Sequence, residues 1–279
     1  MTSKTWLITG VSSGFGRSLT TQLLAKGETV IGTVRNFAKV QDLIEQYPDN
    51  FISEKLDVTD VPAIHALVNK VASEHKIDVL VNNAGYGLFG AAEELNDEQV
   101  NKIIATDLTG SIQMIRSILP FMRKQKSGRI IQISSYGGQV AYPGNSMYHA
   151  AKFGIEGFCE AVAQEVAQFN IGLTIVEPGG ARTEFRYGSA QVADLIPAYD
   201  GPTHAFMKML DPANGLAPGD PQKMATRIIE SADQTPAPLH MVLGSEALKN
   251  TIERLETRVA EYKNETELAA STDFSADEK

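Results

Sequence analysis

The chain has 279 residues, of which 43% are hydrophobic, and a formal net charge of −9. That length suits one large α/β domain, and the apolar fraction can bury a full core. An acidic chain without a basic stripe argues against nucleic acid as a main partner, although one local arginine and helix-terminal amides can still hold a phosphate.

A single cysteine, Cys159, excludes an intrachain disulfide and fits a reducing compartment. No charged leader precedes a long apolar run, and no stretch of about 18 apolar residues exists to span a membrane. The expected location is cytoplasmic.

Residues 5–9 read as a first strand. Residues 15–26 have helical spacing and end at Gly27, a candidate C-terminal cap. A second strand follows at 29–34, a helix at 37–46, a third strand at 51–56 and a helix at 60–75. Residues 79–81 form a short buried strand. One long helical periodicity covers 97–125. It precedes a strand at 129–133, a helix at 146–169 and a strand at 173–176. This alternation predicts an α/β fold, a Rossmann-type doubly wound parallel sheet with helices on both faces. A single domain is expected over 1–263.

After Pro178 the texture changes. Residues 184–220 are rich in Gly, Pro and Ala with scattered apolar groups, and read as a lid over a substrate site. Helix returns at 221–232, a last strand at 236–243 and a terminal helix at 245–263. Residues 264–279 are polar and acidic and are expected to form a flexible tail.

Three glycines, Gly10, Gly14 and Gly16, stand between the first strand and the first helix. They permit a tight turn and a close approach of the backbone to a pyrophosphate, which would sit on the free N–H groups of Ser12, Ser13, Gly14 and Phe15. The second strand ends in Val34, Arg35 and Asn36, without the carboxylate that would grip a ribose 2′-hydroxyl. A carboxylate would repel a 2′-phosphate, whereas Arg35 offers it a donor fork, so NADP(H) is the expected cofactor. Arg17 could assist or stand on the surface.

Tyr148 and Lys152 are four residues apart and share one helix face. The ammonium, with an oxidised nicotinamide, should lower the pKa of the phenol toward the range useful for proton exchange.

These motifs, taken in order, resemble the short-chain dehydrogenase/reductase family over about residues 4–185. The set comprises the glycine turn, Asp57-Val58, Asn82-Asn83-Ala84-Gly85, Ser135, Tyr148-x-x-x-Lys152, and Pro178-Gly179 followed by Thr183. The resemblance implies a Ser135, Tyr148 and Lys152 catalytic group, with Ser135 favoured over Ser134 because the family spacing to the tyrosine is thirteen. It implies that Asp57 and Val58 meet adenine, and that Asn83, Ala84 and Gly85 line the adenosine ribose. Pro178, Gly179 and Thr183 would lie at the nicotinamide or a phosphate, and Lys152 would hold ribose hydroxyls. Asp57 alone could equally cap a helix.

One departure from the family is Asp107, which takes the place of an asparagine that holds a relay water near the lysine. Asp107 could hold that water or merely satisfy helix backbone groups.

Tyr86, Ser135, Tyr142, Tyr148, Gly180 and Phe185 are the candidates for substrate contact, with Tyr136, Met147, Tyr187, Leu195, Ile196, Tyr199, Phe206, Met207 and Met209 as further apolar lining. They suit an apolar ketone or secondary alcohol. No metal enters this reading. A homodimer or homotetramer is implied by family pairing of the helices at 97–125 and 146–169. Two other readings are a non-catalytic NADP(H) sensor, which would not need both Tyr148 and Lys152, and a sugar-nucleotide epimerase or dehydratase, which usually has a different glycine spacing.

Overall fold

The computed structural model describes residues 3–275. Its strands are β1 (Thr5–Thr9), β2 (Thr29–Val34), β3 (Phe51–Lys55), β4 (Val79–Asn82), β5 (Leu88–Phe89), β6 (Gly128–Ile133), β7 (Ile171–Pro178), β8 (Gln191–Val192) and β9 (His240–Leu243). Seven of them form one parallel sheet in the order β3-β2-β1-β4-β6-β7-β9. The order reverses direction between β1 and β4, and a doubly wound sheet opens a crevice at that switch point.

The helices are α1 (Gly14–Ala25), α2 (Gln41–Gln46), α3 (Val61–Glu74), α4 (Asp97–Ile104), α5 (Gly110–Gln125), α6 (Ser146–Val166), α7 (Glu184–Tyr187), α8 (Pro202–Ala205), α9 (Pro221–Ser231), α10 (Ser245–Lys263) and α11 (Thr266–Ala270). Alternate residues of each strand supply opposite faces of the sheet. Trp6, Ile8, Val30 and Ile131 pack with Leu19 and Leu23 of α1 and Ile228 of α9. Leu7, Ile31, Leu80 and Ile130 pack on the other side with Val68 of α3, Ile115 of α5 and Ile155 of α6. Local signals set the helix ends. Gly27 follows α1 at φ +79, and the Asp60 side chain accepts the Ala63 N–H at 2.9 Å to cap α3.

Three elements differ from the periodicity. The long helix expected at 97–125 is two α-helices joined by a π-helical turn, Ala105–Thr109. The helix expected at 37–46 opens as a 3-10 turn, Phe37–Val40. Within 184–220, β8 pairs with β5 as a separate two-stranded sheet. A further short helix, α11, lies in the segment after residue 263.

Beneath the sheet's C-terminal edge, α6 carries a buried carboxyl. Glu156 is 2% exposed, accepts a hydrogen bond from the Ser134 hydroxyl at 2.5 Å and another from the Gln139 amide. Burial pushes its pKa up to about 7, the two donors partly opposing and Glu177 adding to it. A folded-state pKa above the unfolded one means that the folded chain binds the extra proton. This contribution is therefore full at pH below about 4.5 and is lost as pH rises through about 7. Glu156→Gln should remove that dependence, leaving a variant more stable than the parent at pH 8 by on the order of 2–3 kcal/mol. Urea unfolding at pH 5 and pH 8 checks this, and an unchanged pH slope would count against it.

Candidate active site

A cavity of about 1080 Å³ lies over the C-terminal ends of the strands. One end begins at the glycine turn. Gly10 and Gly14 adopt φ +74 and +55, conformations that side-chain-bearing residues rarely hold. A Cβ at Gly16 would stand 2.2 Å from the Gly10 carbonyl oxygen and 2.5 Å from Asn83 Nδ2, so the turn closes only on glycine. Ser13 makes no side-chain cap at the start of α1, which leaves the first-turn N–H groups available to an anion.

The loop after β4 fastens this turn. Asn83 Nδ2 donates to the Thr9 and Gly10 carbonyls at 2.9 and 3.0 Å. The Thr9 hydroxyl accepts the N–H groups of Asn83 and Ala84 at 2.9 and 3.0 Å. Arg35 and Asp57 share the outer wall, with Val58 and Gly85 further in. The Asp57 carboxyl is held below its usual pKa first by the Thr59 backbone N–H, then by the Thr59 hydroxyl, with a smaller pull from Arg35.

The other end holds the triad. The Tyr148 ring is buried, with Lys152 Nζ 5.4 Å from its centroid. Lys152 Nζ donates to the Ile133 carbonyl at 3.3 Å and stands 3.3 Å from Asp107 Oδ2. Asp107 Oδ2 has no aligned hydrogen-bond donor, so this contact is ionic. Asp107 Oδ1 accepts the Tyr86 N–H at 3.1 Å. The π-helical turn carries Asp107 inward, where it is fully buried.

Ser135 Oγ accepts the Gly137 N–H at 3.0 Å, and the Ser135 hydroxyl pulls the Tyr148 pKa down. Neighbouring His149 steadies the same loop, its Nδ1 2.7 Å from the Gly137 carbonyl and its Nε2 accepting the Tyr142 N–H at 3.2 Å. Burial lowers the pKa of His149, which fits a neutral ring donating to one partner and accepting from the other.

The protein groups alone push the phenol upward, whereas the expected fall also counted an oxidised nicotinamide. Burial raises the Tyr148 pKa more than Lys152 and Ser135 lower it, and Asp107 raises it further. Desolvation of a phenolate therefore wins over the single adjacent ammonium. At Lys152 burial opposes the charge, but Asp107 and Tyr148 more than offset it, and its pKa ends above the usual value. Burial likewise pushes the Asp107 carboxyl up, with Lys152 the main opposing group.

Of the residues singled out from sequence, Gly10, Ser12, Ser13, Gly14, Phe15, Arg35, Asp57, Val58, Asn83, Ala84, Gly85, Ser135, Tyr148, Lys152, Pro178, Gly179 and Thr183 line the one cavity. So do Tyr86, Tyr142, Gly180 and Phe185. Gly16, Asn36 and Asp107 do not. Gly16 lies behind the turn, the Asn36 side chain accepts the Ala38 N–H at 3.0 Å, and Asp107 acts from behind Lys152. Arg17 is a surface residue paired with Asp42.

From the lid, Phe206 and Met209 reach the cavity, whereas Tyr187, Leu195, Ile196, Tyr199 and Met207 do not, nor does Met147 of α6. Phe206 stacks on Tyr142 at 4.3 Å and on Phe89 at 5.9 Å, while Phe185 meets Tyr148 at 5.7 Å. Lys102 and Phe89 also line the cavity without having been anticipated. Lys102 follows a helical pattern that reads as a solvated face.

The fold and this crevice define a dinucleotide-type α/β protein with a buried tyrosine–lysine pair. A short chain dehydrogenase family model matches residues 4–192. Oxidoreductase BOA17 of Botryotinia fuckeliana is 34% identical over 252 residues, covering 88% of this chain and 91% of that protein. A short-chain dehydrogenase from Streptomyces avermitilis superposes with a TM-score of 0.91 at 37% identity, covering 98% of this chain and all of that one. ElxO with NADP bound superposes with a TM-score of 0.73 at 26% identity, covering 89% of this chain and 100% of that one. The chain belongs to the short-chain dehydrogenase/reductase family, and is an oxidoreductase of that family. Among the described residues no helix is long and apolar enough to cross a membrane.

Proposed function

We propose that this chain is an NADP(H)-dependent carbonyl reductase or alcohol dehydrogenase acting on an apolar ketone or secondary alcohol. The observation that carries the reading is one cavity joining the uncapped start of α1 to Ser135, Tyr148 and Lys152. The residues fit a dinucleotide. The turn leaves backbone N–H groups for a pyrophosphate, and Arg35 stands at the end of β2 with no carboxylate beside it in the strand. The NADP held by ElxO supports the same cofactor class. A sensor would not need both the phenol and the ammonium, and both face the cavity here.

When bound, a nicotinamide would supply or accept the hydride at the substrate carbon. Tyr148 gives its phenolic proton to the carbonyl oxygen in reduction and takes it back in oxidation. Ser135 donates to the same oxygen and orients it. Lys152 stabilises the phenolate left behind and would hold the ribose hydroxyls of the cofactor. Its own charge is maintained by Asp107, which thereby sets how readily the phenol ionises. Tyr86 also lines the cavity. The aromatic rings of Tyr142, Phe185 and Phe206 favour an apolar remainder.

Tyr148→Phe should keep NADP(H) affinity and lower kcat by about 10²–10⁴-fold, because most cofactor contacts lie elsewhere. Single-turnover kinetics with a carbonyl panel, followed by NADPH absorbance, measures both; near-parent kcat would remove the proton role. Arg35→Asp should weaken NADP(H) and relatively favour NAD(H). Equal kcat/KM for the two cofactors in the parent chain would refute the preference. Asp107→Asn removes a charge that raises the pKa of both Tyr148 and Lys152. The rising limb of alcohol oxidation against pH should then move to lower pH, with cofactor affinity little changed. Superimposable profiles would make Asp107 a purely structural residue.

A further inference from the structure

The last long helix carries an apolar line that the domain does not use. Leu248, Ile252, Leu255, Val259 and Tyr262 of α10 are spaced four, three, four and three residues apart, and each is between 39% and 65% exposed. That spacing is the seam of a coiled coil, with β-branched Ile252 and Val259 alternating with Leu248 and Leu255. Of the eleven exposed large apolar residues among the described residues, these five fall on one helix.

The domain holds α10 by a different line. Ala247 and Thr251 are buried against it, and the Arg258 guanidinium lies 5.9 Å from the Phe153 ring. The exposed line is one residue further round, about 100° of helix rotation, and so faces sideways along the protein surface.

We propose that α10 is a self-association surface, pairing antiparallel with α10 of a second copy of this chain. Charge decides the orientation. Lys249, Glu256 and Lys263 flank the seam on one side and Thr251 and Arg258 on the other. In a parallel pair Arg258 would face Lys263 of the second copy, a like-charge contact. In an antiparallel pair Leu248 faces Val259, Ile252 faces Leu255, and Lys249 meets Glu256, each contact occurring twice by two-fold symmetry.

A lipid surface fits less well. Lys249, Arg254, Arg258 and Lys263 are matched by Glu246, Glu253, Glu256 and Glu261, and Glu265, Glu267 and Asp273 follow. Helices that lie on anionic membranes carry a basic polar face instead. The surface is separate from α5 and α6, so it adds to any association through those helices.

Light scattering on the full chain at micromolar concentration tests the proposal. The parent should give a mass at least twice that of the chain, and Leu255→Glu should halve it while leaving turnover and far-ultraviolet circular dichroism unchanged. Lys249→Glu or Glu256→Lys alone should weaken association about tenfold, two attractive pairs becoming repulsive. The double reversal should restore it. A monomeric parent, or a mass unchanged in Leu255→Glu, would overturn the surface. Single reversals without effect, or a double reversal no better than either single one, would overturn the antiparallel pairing with a second copy.

Discussion

An ammonium taken out of water needs compensation from its surroundings, and the interior of this protein is arranged around that need. Lys152 is 5% exposed, and burial alone would lower its pKa. Asp107 supplies the opposing charge and the Ile133 carbonyl a further oxygen. Each part constrains another. Asp107 sits on the π-helical turn between α4 and α5 and from there meets Lys152. A Cβ at Gly85 would stand 2.7 Å from Asp107 Oδ2, so the loop after β4 must pass with a glycine at that point. The next residue in that loop, Tyr86, gives its N–H to Asp107.

The same loop governs the opposite end of the cavity. Asn83 binds the carbonyls of the glycine turn, and the Thr9 hydroxyl receives two N–H groups in return. Four consecutive residues, 83–86, therefore connect the glycine turn to the charged pair beside the phenol. A connection of this kind ties the glycine turn to the Tyr148–Lys152 pair, which the orientation of cofactor and substrate proposed above would require. The raised pKa of Tyr148 belongs to the same arrangement. A buried phenol held in its protonated form suits the donor role proposed for Tyr148, and Lys152 stands beside it.

Sequence reading reached most of this because the informative signals are local. Alternating strand and helix periods give the sheet, and short motifs mark the turn, the loop after β4 and the Tyr148–Lys152 pair. What it missed depends on non-local packing. A single extra residue in a helix keeps the apolar pattern nearly intact, so the π-helical turn at 105–109 reads as part of one long helix. The direction of the Tyr148 shift follows from burial, which spacing does not give. β5 and β8 are two residues each, too short to show a period. Glu156 sits in a helical stretch of mixed character, and only the approach of Ser134 and Gln139 reveals it as a buried group.

The net charge of −9 would seem to disfavour an anionic cofactor, but net charge acts at long range and salt weakens it beyond about 10 Å. Within the cavity the balance is different. Arg35 and Lys102 line its outer part, Lys152 its inner part, and the start of α1 presents unpaired N–H groups between them. Of the acidic residues that line it, Asp57 is already engaged with Thr59 and Glu98 lies in the first turn of α4. Low-dielectric walls strengthen interactions at this range, so a handful of oriented donors can outweigh a diffuse surface charge. Net charge acts on long-range encounter, whereas the phosphate affinity proposed for the crevice would be set by groups within a few ångströms of it.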